Sequence, residues 1–385
     1  MMIFKLAMKN LLGAGLRTWL IVAVLSFAFV IIIFYNGMID GWNEQARNDT
    51  IAWEIGQGQL WHQAYDPYDP FTLQDAHGNI PTDVHPEQLV PELITQATIY
   101  PSGRMLPINM KGIPANQKIL ALPTDKLVSE NGDIPILIGK RMAKSTKLQV
   151  GDQVLVRWRD TNGTFDALQV RVAAIFEADV PTIDKGQVWL DLAQLQEMTG
   201  MPNEATLLVT GEGYQHQETE GWAHKDHAFL LAELDAIIQS KKGSGSIMYV
   251  LLLGIALLAI FDTQVLSVFR RQKEIGTLIA LGMTRSQVVS LFTIEGGANS
   301  LLAAIVGAIY GIPLFVWLTK VGIPMPSANQ DIGIAIAEKI FPTYGLGLVV
   351  GTTLLVVIAS TVVSYMPSRK IAHMNPVEAL KGKIS

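Results

Sequence analysis

Long apolar runs separated by polar stretches set the plan of this chain. Trp19 to Ile39 carries no charge, and Ile247 to Phe269 is interrupted only by Asp262 and Gln264. Val288 to Leu318 holds Glu295 near its start, and Tyr344 to Met366 is again uncharged. Each run reaches the roughly 20 residues a helix needs to cross a hydrocarbon core of about 30 Å. Backbone groups find no water there, so helix is the expected conformation. The pattern predicts membrane helices over 19–39, 246–269, 288–318 and 343–366. Polar segments at 1–18, 40–245, 270–287, 319–342 and 367–385 precede, join and follow them.

The long segment 40–245 has room for a folded domain of its own. Its second half alternates with the period of a strand. Val154, Val156 and Trp158 share one face with Arg157 and Arg159 opposite; Asp160-Thr-Asn-Gly163 is a turn; and Leu168, Val170, Val172 and Ala174 resume the alternation. That is a β-hairpin. Gly186 to Leu190 reads as another strand, and Asp191 is placed to cap a short helix with Leu192, Leu195 and Met198 facing inward. The first half is rich in Pro, Gly and Asn, as at 65–70 and 77–81, and predicts loops and short strands. Helical periodicity returns over 226–242 and should end at Gly243-Ser-Gly-Ser246. The expected fold is a four-span α-helical membrane protein with a large α+β extracytoplasmic domain between spans one and two.

The joint between spans two and three is more than a polar loop. Ile275, Leu278, Ile279 and Met283 recur at helical spacing with Lys273, Glu274 and Arg285 around them, so a short amphipathic surface helix is expected. An apolar stripe there needs something to dock against, which points to a separate partner.

Charge supplies the orientation. Lys5, Lys9, Arg17, Arg270, Arg271, Lys273, Arg285, Arg369, Lys370, Lys381 and Lys383 flank the spans on one side, against only Glu274 and Glu378. The positive-inside rule puts both termini (the first as an amphipathic segment) and the 270–287 joint in the cytoplasm. Segment 40–245, with 28 acidic and 16 basic residues, then lies outside, and 319–342 is a second external loop. The first span is longer than a signal-peptide core and no small-x-small site closes it, so an uncleaved anchor is expected. The chain has 385 residues and no cysteine, so neither disulfide nor thiolate chemistry supports it.

Catalytic motifs are missing. No Gly-x-x-x-x-Gly-Lys-Ser/Thr occurs, so any nucleotide energy comes from another polypeptide. No Gly-x-Ser-x-Gly elbow is present. His224-Lys-Asp-His227 offers two nitrogens without a third ligand at a recognisable spacing, and reads as a solvated helix start. No catalytic, metal or cofactor residues are assigned, and no nucleic-acid partner is expected. Asp262 and Gln264 are the intramembrane polar candidates, either as part of an ion relay or as interhelical contacts; lacking a second ionisable group at the same depth, the contact is expected. Gly307-x-x-x-Gly311 and Gly347-x-x-x-Gly351 could permit close helix approach.

The order of one span, an external domain and three clustered spans resembles the FtsX-like, or MacB-type, permeases of ABC transporters. The likeness is strongest over Asp262-Thr, Ser267 to Gly282 and Glu295-Gly296, and extends to Ala7–Thr18, Gly139–Ala143, Leu148–Asp152 and Pro367–Leu380. Asp262 stands where the family pattern has Asn. The Gly56-Gln-Gly-Gln-Leu60 … Tyr65 stretch is similar to the lipoprotein-releasing branch. The resemblance implies that Lys273, Glu274, Ile275, Gly276, Leu278, Ile279, Ala280, Leu281, Gly282 and Met283 form a coupling helix for a cytoplasmic ABC ATPase. It also implies two ATPase copies carrying ATP and Mg, a second permease chain (identical or homologous), and an inner-membrane location with the large domain in the periplasm. Residues 226–242 would transmit movement. The substrate could be a lipoprotein passed from membrane lipid to a periplasmic carrier. The alternatives are an exported drug or peptide, or a signal in a sensor complex.

Overall fold

The computed structural model describes residues 16–81, 87–129, 132–178, 180–215, 219–325 and 339–370. The N-terminal stretch 1–15 and the closing segment from 371 lie outside them, as does most of the 319–342 loop. The chain divides into two compact units, one drawn from residues 1–42, 238–323 and 340–385, the other from 43–237 and 324–339.

The first unit is helical. Its long helices are α1 (Leu16–Thr50), α4 (Ala232–Arg270), α6 (Arg285–Val321) and α7 (Leu346–Arg369), with the short α5 (Gln272–Ala280) between α4 and α6. All four long helices are apolar enough to cross a membrane. The first three exceed the lengths their apolar runs predict, and α4 continues straight through Gly243-Ser-Gly-Ser246, where an end was expected. Glycine costs a helix interior only about 1 kcal/mol, which a packed helix can absorb. At Gly245 a side chain would crowd Tyr35, its Cβ 3.2 Å from the ring. The four helices meet around Val22, Leu25 and Phe29 of α1, Ala256 and Ile260 of α4, Ala303 of α6 and Val356 of α7. Gly307 and Gly311 lie against Ser26 and Val30 of α1, so the first glycine pair marks a close contact, whereas Gly347 and Gly351 have nothing of this chain within 4 Å.

The second unit is a mixed sheet of nine strands: β1 (Gly58–His62), β2 (Leu89–Ile99), β3 (Leu106–Ile113), β4 (Pro135–Gly139), β5 (Gln153–Arg159), β6 (Phe165–Phe176), β7 (Gln187–Asp191), β8 (Leu207–Thr210) and β9 (Trp222–Lys225). Their order is β9-β1-β8-β2-β3-β7-β4-β6-β5, and Ala97 to Ile99 of β2 also pair with Val156 to Trp158 of β5. That pairing closes six strands into a small barrel. Inward-facing Leu93, Met110, Ile136, Val156, Val172 and Val188 fill it, with α2 (Lys140–Thr146) and α3 (Leu192–Thr199) contributing Met142 and Leu195. The β5–β6 hairpin follows the alternation in the sequence, and Trp158 donates its indole N–H to the Met198 carbonyl at 2.7 Å.

Two expectations fail here. The first half of the segment contains the eleven-residue β2 and the eight-residue β3, not only loops and short strands. Strand β2 is buried on both faces for most of its length, so it has no polar alternation, and Pro91 sits within it. Asp191 does not cap α3 through its side chain; its carboxylate accepts from the Ala115 N–H instead, tying β7 to the loop after β3. A buried pair, Glu92 and Lys111 at 3.5 Å, lies on the other side of the sheet, with the Lys111 ammonium 4.7 Å above the Trp189 ring. Loss of hydration pushes the Glu92 carboxyl pKa up, with Lys111 opposing.

Candidate coupling site

Helix α5 begins where Arg271 leaves helical backbone (φ −102°, ψ 19°), and it ends at Leu281-Gly282. Gly282 has φ +101°, a conformation that side-chain-bearing residues resist, and it lets the chain reverse into α6. Thr284 then starts α6 with a reciprocal cap: its hydroxyl accepts from the Gln287 N–H while the Gln287 side chain accepts from the Thr284 N–H. These local signals make the helix-turn-helix a defined piece of structure.

The apolar stripe of α5 does not face outward. Ile275 is fully buried with Val268 of α4 and Val288, Val289 and Phe292 of α6, while Leu278, Ile279 and Met283 pack on the same cluster. Gly276 is buried beside them. The stripe is therefore satisfied within the chain. Exposure falls to Lys273, Glu274, Thr277, Ala280, Leu281 and Gly282, with Leu281 79% exposed. A partner would meet this second edge of the helix.

The joint is pinned by charges that hydropathy reading passes over. Arg271 forks onto Glu274 through Nε and Nη2, at 2.7 and 2.6 Å, while Nη1 donates to both carboxylate oxygens of Glu295 at 2.9 and 2.8 Å. Its guanidinium also lies 4.7 Å from the Phe292 ring centre. The hydrogen bonds to Glu274 raise the Arg271 pKa beyond its ordinary value and hold the Glu274 carboxyl below the usual carboxylate range. Glu295 is buried. Neither Arg271 nor Glu295 is among the residues assigned to the site from sequence. One signal was available: a lone carboxylate at the start of an apolar span demands a cation, and the adjoining loop supplies one.

Below this joint α6 and α7 pack with almost no space between them. A side chain at Gly296 would collide with the Ser364 hydroxyl, and one at Gly297 would meet Thr361 Oγ1 at 2.7 Å. Ser360 donates to the Ser300 hydroxyl at 2.7 Å. Gln264 reaches this seam from α4, where it is buried. Asp262 does not: it lies on the exposed side of α4, so the expected contact with a neighbouring helix of this chain is made by Gln264 alone. His224 is in β9 and paired with Leu60, while His227 Nε2 lies 2.9 Å from the Gly56 carbonyl; the motif bridges a strand and a helix start. Among the described residues no three His, Asp or Glu side chains group to hold a metal.

Residues 246–376, which hold this joint and the helices it links, match the FtsX-like permease C-terminal family. The chain carries an FtsX-like permease domain. The chain is 23% identical to the lipoprotein-releasing system transmembrane protein LolC of Xylella fastidiosa (strain 9a5c), over 98% of this chain and 94% of that protein. It is 28% identical to an uncharacterized ABC transporter permease, MJ1507, of Methanocaldococcus jannaschii, over 43% of this chain and 40% of that one. The macrolide export ATP-binding/permease protein MacB of Sodalis glossinidius is 24% identical, over 70% of this chain and 40% of its own length.

Proposed function

We propose that this chain is the permease subunit of an inner-membrane ABC transporter that releases lipoproteins, driven by ATP hydrolysis on a separate ATPase. The likeness to LolC over 98% of the chain carries this reading, because it runs through the sheet unit as well as the permease domain. The likeness to MacB covers less of this chain, and the fused protein it matches has an ATP-binding part that finds no counterpart motif here. ATP and Mg belong to the partner, present in two copies for two permease chains. The basic flanks support a periplasmic position for the sheet unit.

The mechanism follows from the joint. An ATPase that seats the exposed edge of α5, at Lys273, Thr277 and Leu281, moves α5 when ATP closes its two subunits. Arg271 carries that displacement to Glu295, and the tight seam makes α6 and α7 respond as one body. The spans hold few polar groups, which suits acyl chains better than a hydrated path. Each CH₂ sheltered from water contributes about 0.8 kcal/mol. Depletion of the protein in its own cells tests the reading: outer-membrane lipoproteins should accumulate in the inner membrane. Correctly sorted lipoproteins with a loss of drug or peptide tolerance would favour export instead.

A further inference from the structure

A cleft of about 1020 Å³ opens in the sheet unit beside the start of β1. That volume lies at the upper end of the range for sites that enclose small ligands. Part of its wall is a π turn, Ile51–Ile55, which follows Thr50 without a break and closes with the Gly56 N–H donating to the Ile51 carbonyl at 2.9 Å. Such turns are rare and gather at functional sites. Backbone bonds fasten this turn and the neighbouring walls together. The Gln57 N–H donates to the Thr210 carbonyl at 2.8 Å, Gly211 to Gln88 at 2.7 Å, and Ala121 to Ala52 at 2.9 Å. A side chain at Gly56 would come within 2.6 Å of the Thr210 carbonyl oxygen, and one at Gly211 within 2.7 Å of Ile119. The cleft is therefore a built feature, fixed by hydrogen bonds and by glycines at the points of closest approach.

The lining chemistry narrows what it holds. Ile51, Ala52 and Ile119 supply an apolar part, while Glu87, Glu212 and Lys118 supply charge. All three charged residues are exposed, and among the described residues none is in an ion pair. Two carboxylates against one ammonium leave the cleft with an excess negative charge, in a segment that itself has 28 acidic and 16 basic residues. The local field therefore draws in cations. Gln57, Gln88 and Asn116 add side-chain amides, each with one acceptor oxygen and two donor hydrogens, which complement peptide groups. We propose that this cleft binds a short peptide segment carrying a basic side chain. Glu87 and Glu212 meet its cation, the amides meet its backbone, and Ile119 with Ala52 takes an apolar neighbour. The site lies within the sheet unit, and the proposal holds whichever cargo the transporter moves.

The test titrates the full chain, held in phosphatidylcholine nanodiscs, into two tetrapeptides labelled with a neutral fluorophore, Lys-Leu-Lys-Leu and Glu-Leu-Glu-Leu. Fluorescence anisotropy should show saturable binding of the lysine peptide, weakened by added salt, and none of the glutamate peptide. The Glu87→Gln/Glu212→Gln double variant should weaken binding several-fold, and Lys118→Gln should strengthen it. Ala52→Trp, which fills the apolar part with a bulky ring, should abolish it. These substitutions all fall at exposed positions, so melting temperatures should match that of the parent. Equal affinity for the two peptides, no saturable binding of the lysine peptide, or parent-like affinity in the double variant or in Ala52→Trp would overturn the proposal. Spermidine carries several cations and no peptide group. If it displaced the lysine peptide with equal or higher affinity, the assignment to a peptide would fall.

Discussion

Arg271 and Glu295, 24 positions apart, form a charged contact of 2.8 Å between the α4–α5 joint and α6. One guanidinium nitrogen serves both oxygens of a buried carboxylate, while the other two serve Glu274. The pair ties the start of α5 to α6, beside the apolar contacts of Ile275 with Val288, Val289 and Phe292.

Removing Arg271 should be far worse than removing both charges. Arg271→Ala takes the guanidinium away from the buried Glu295, and breaking a buried ion pair costs on the order of 3–5 kcal/mol. Arg271→Lys cannot fork onto two carboxylates and should retain only part of the stability. The Arg271→Met/Glu295→Met pair should recover stability while leaving ATPase activity uncoupled from release. Thermal unfolding in lipid nanodiscs, read beside ATPase assays of the whole complex, checks both halves.

The exposed and buried edges of α5 should separate docking from folding. Leu281→Asp places a charge on an exposed position and should leave the fold intact while weakening ATPase assembly. Ile275→Asp buries an unpaired charge and should reduce the amount of folded protein several-fold. Equal assembly in Leu281→Asp and the parent, measured by co-purification, would refute this edge as the contact.

Glycines of similar appearance should differ in tolerance. Gly296→Ala forces a methyl into Ser364 and should cost about 1–3 kcal/mol, as overpacking does. Gly351→Ala meets nothing of this chain and should be neutral in the isolated protein. Melting temperatures of the two variants provide the comparison.

Glu92 should make stability depend on pH in an uncommon direction. Its folded pKa is raised, so the folded state holds its proton longer than the unfolded chain does. Its contribution is most favourable below the ordinary glutamate range and declines as pH rises from there to the raised value. Relative to Glu92→Gln, which cannot titrate, the parent should lose stability across that window and then level off. Denaturant unfolding of both full-length proteins over a pH series reads the difference.

The four membrane helices and the β5–β6 hairpin were legible in the sequence because each writes its period into a local run of residues. Val154, Val156 and Trp158 recur at every second position, and each span runs for roughly the 20 predominantly apolar residues that a membrane crossing needs. Strands β2 and β3 were not legible, since a strand buried on both faces lacks alternation and the closure of β2 onto β5 joins residues about 60 positions apart. The stripe at Ile275, Leu278 and Ile279 announced a helix with an apolar side, but periodicity cannot say whether that side meets a partner or the chain itself. Asp262 and Gln264 make the same point at two residues' distance. They sit about 200° apart around α4, so one is turned inward to the α6–α7 seam and the other outward. Hydropathy scores them alike. Only the packing of neighbouring helices decides which face of α4 is inside, because that choice depends on where distant side chains fit and not on any property of the helix alone.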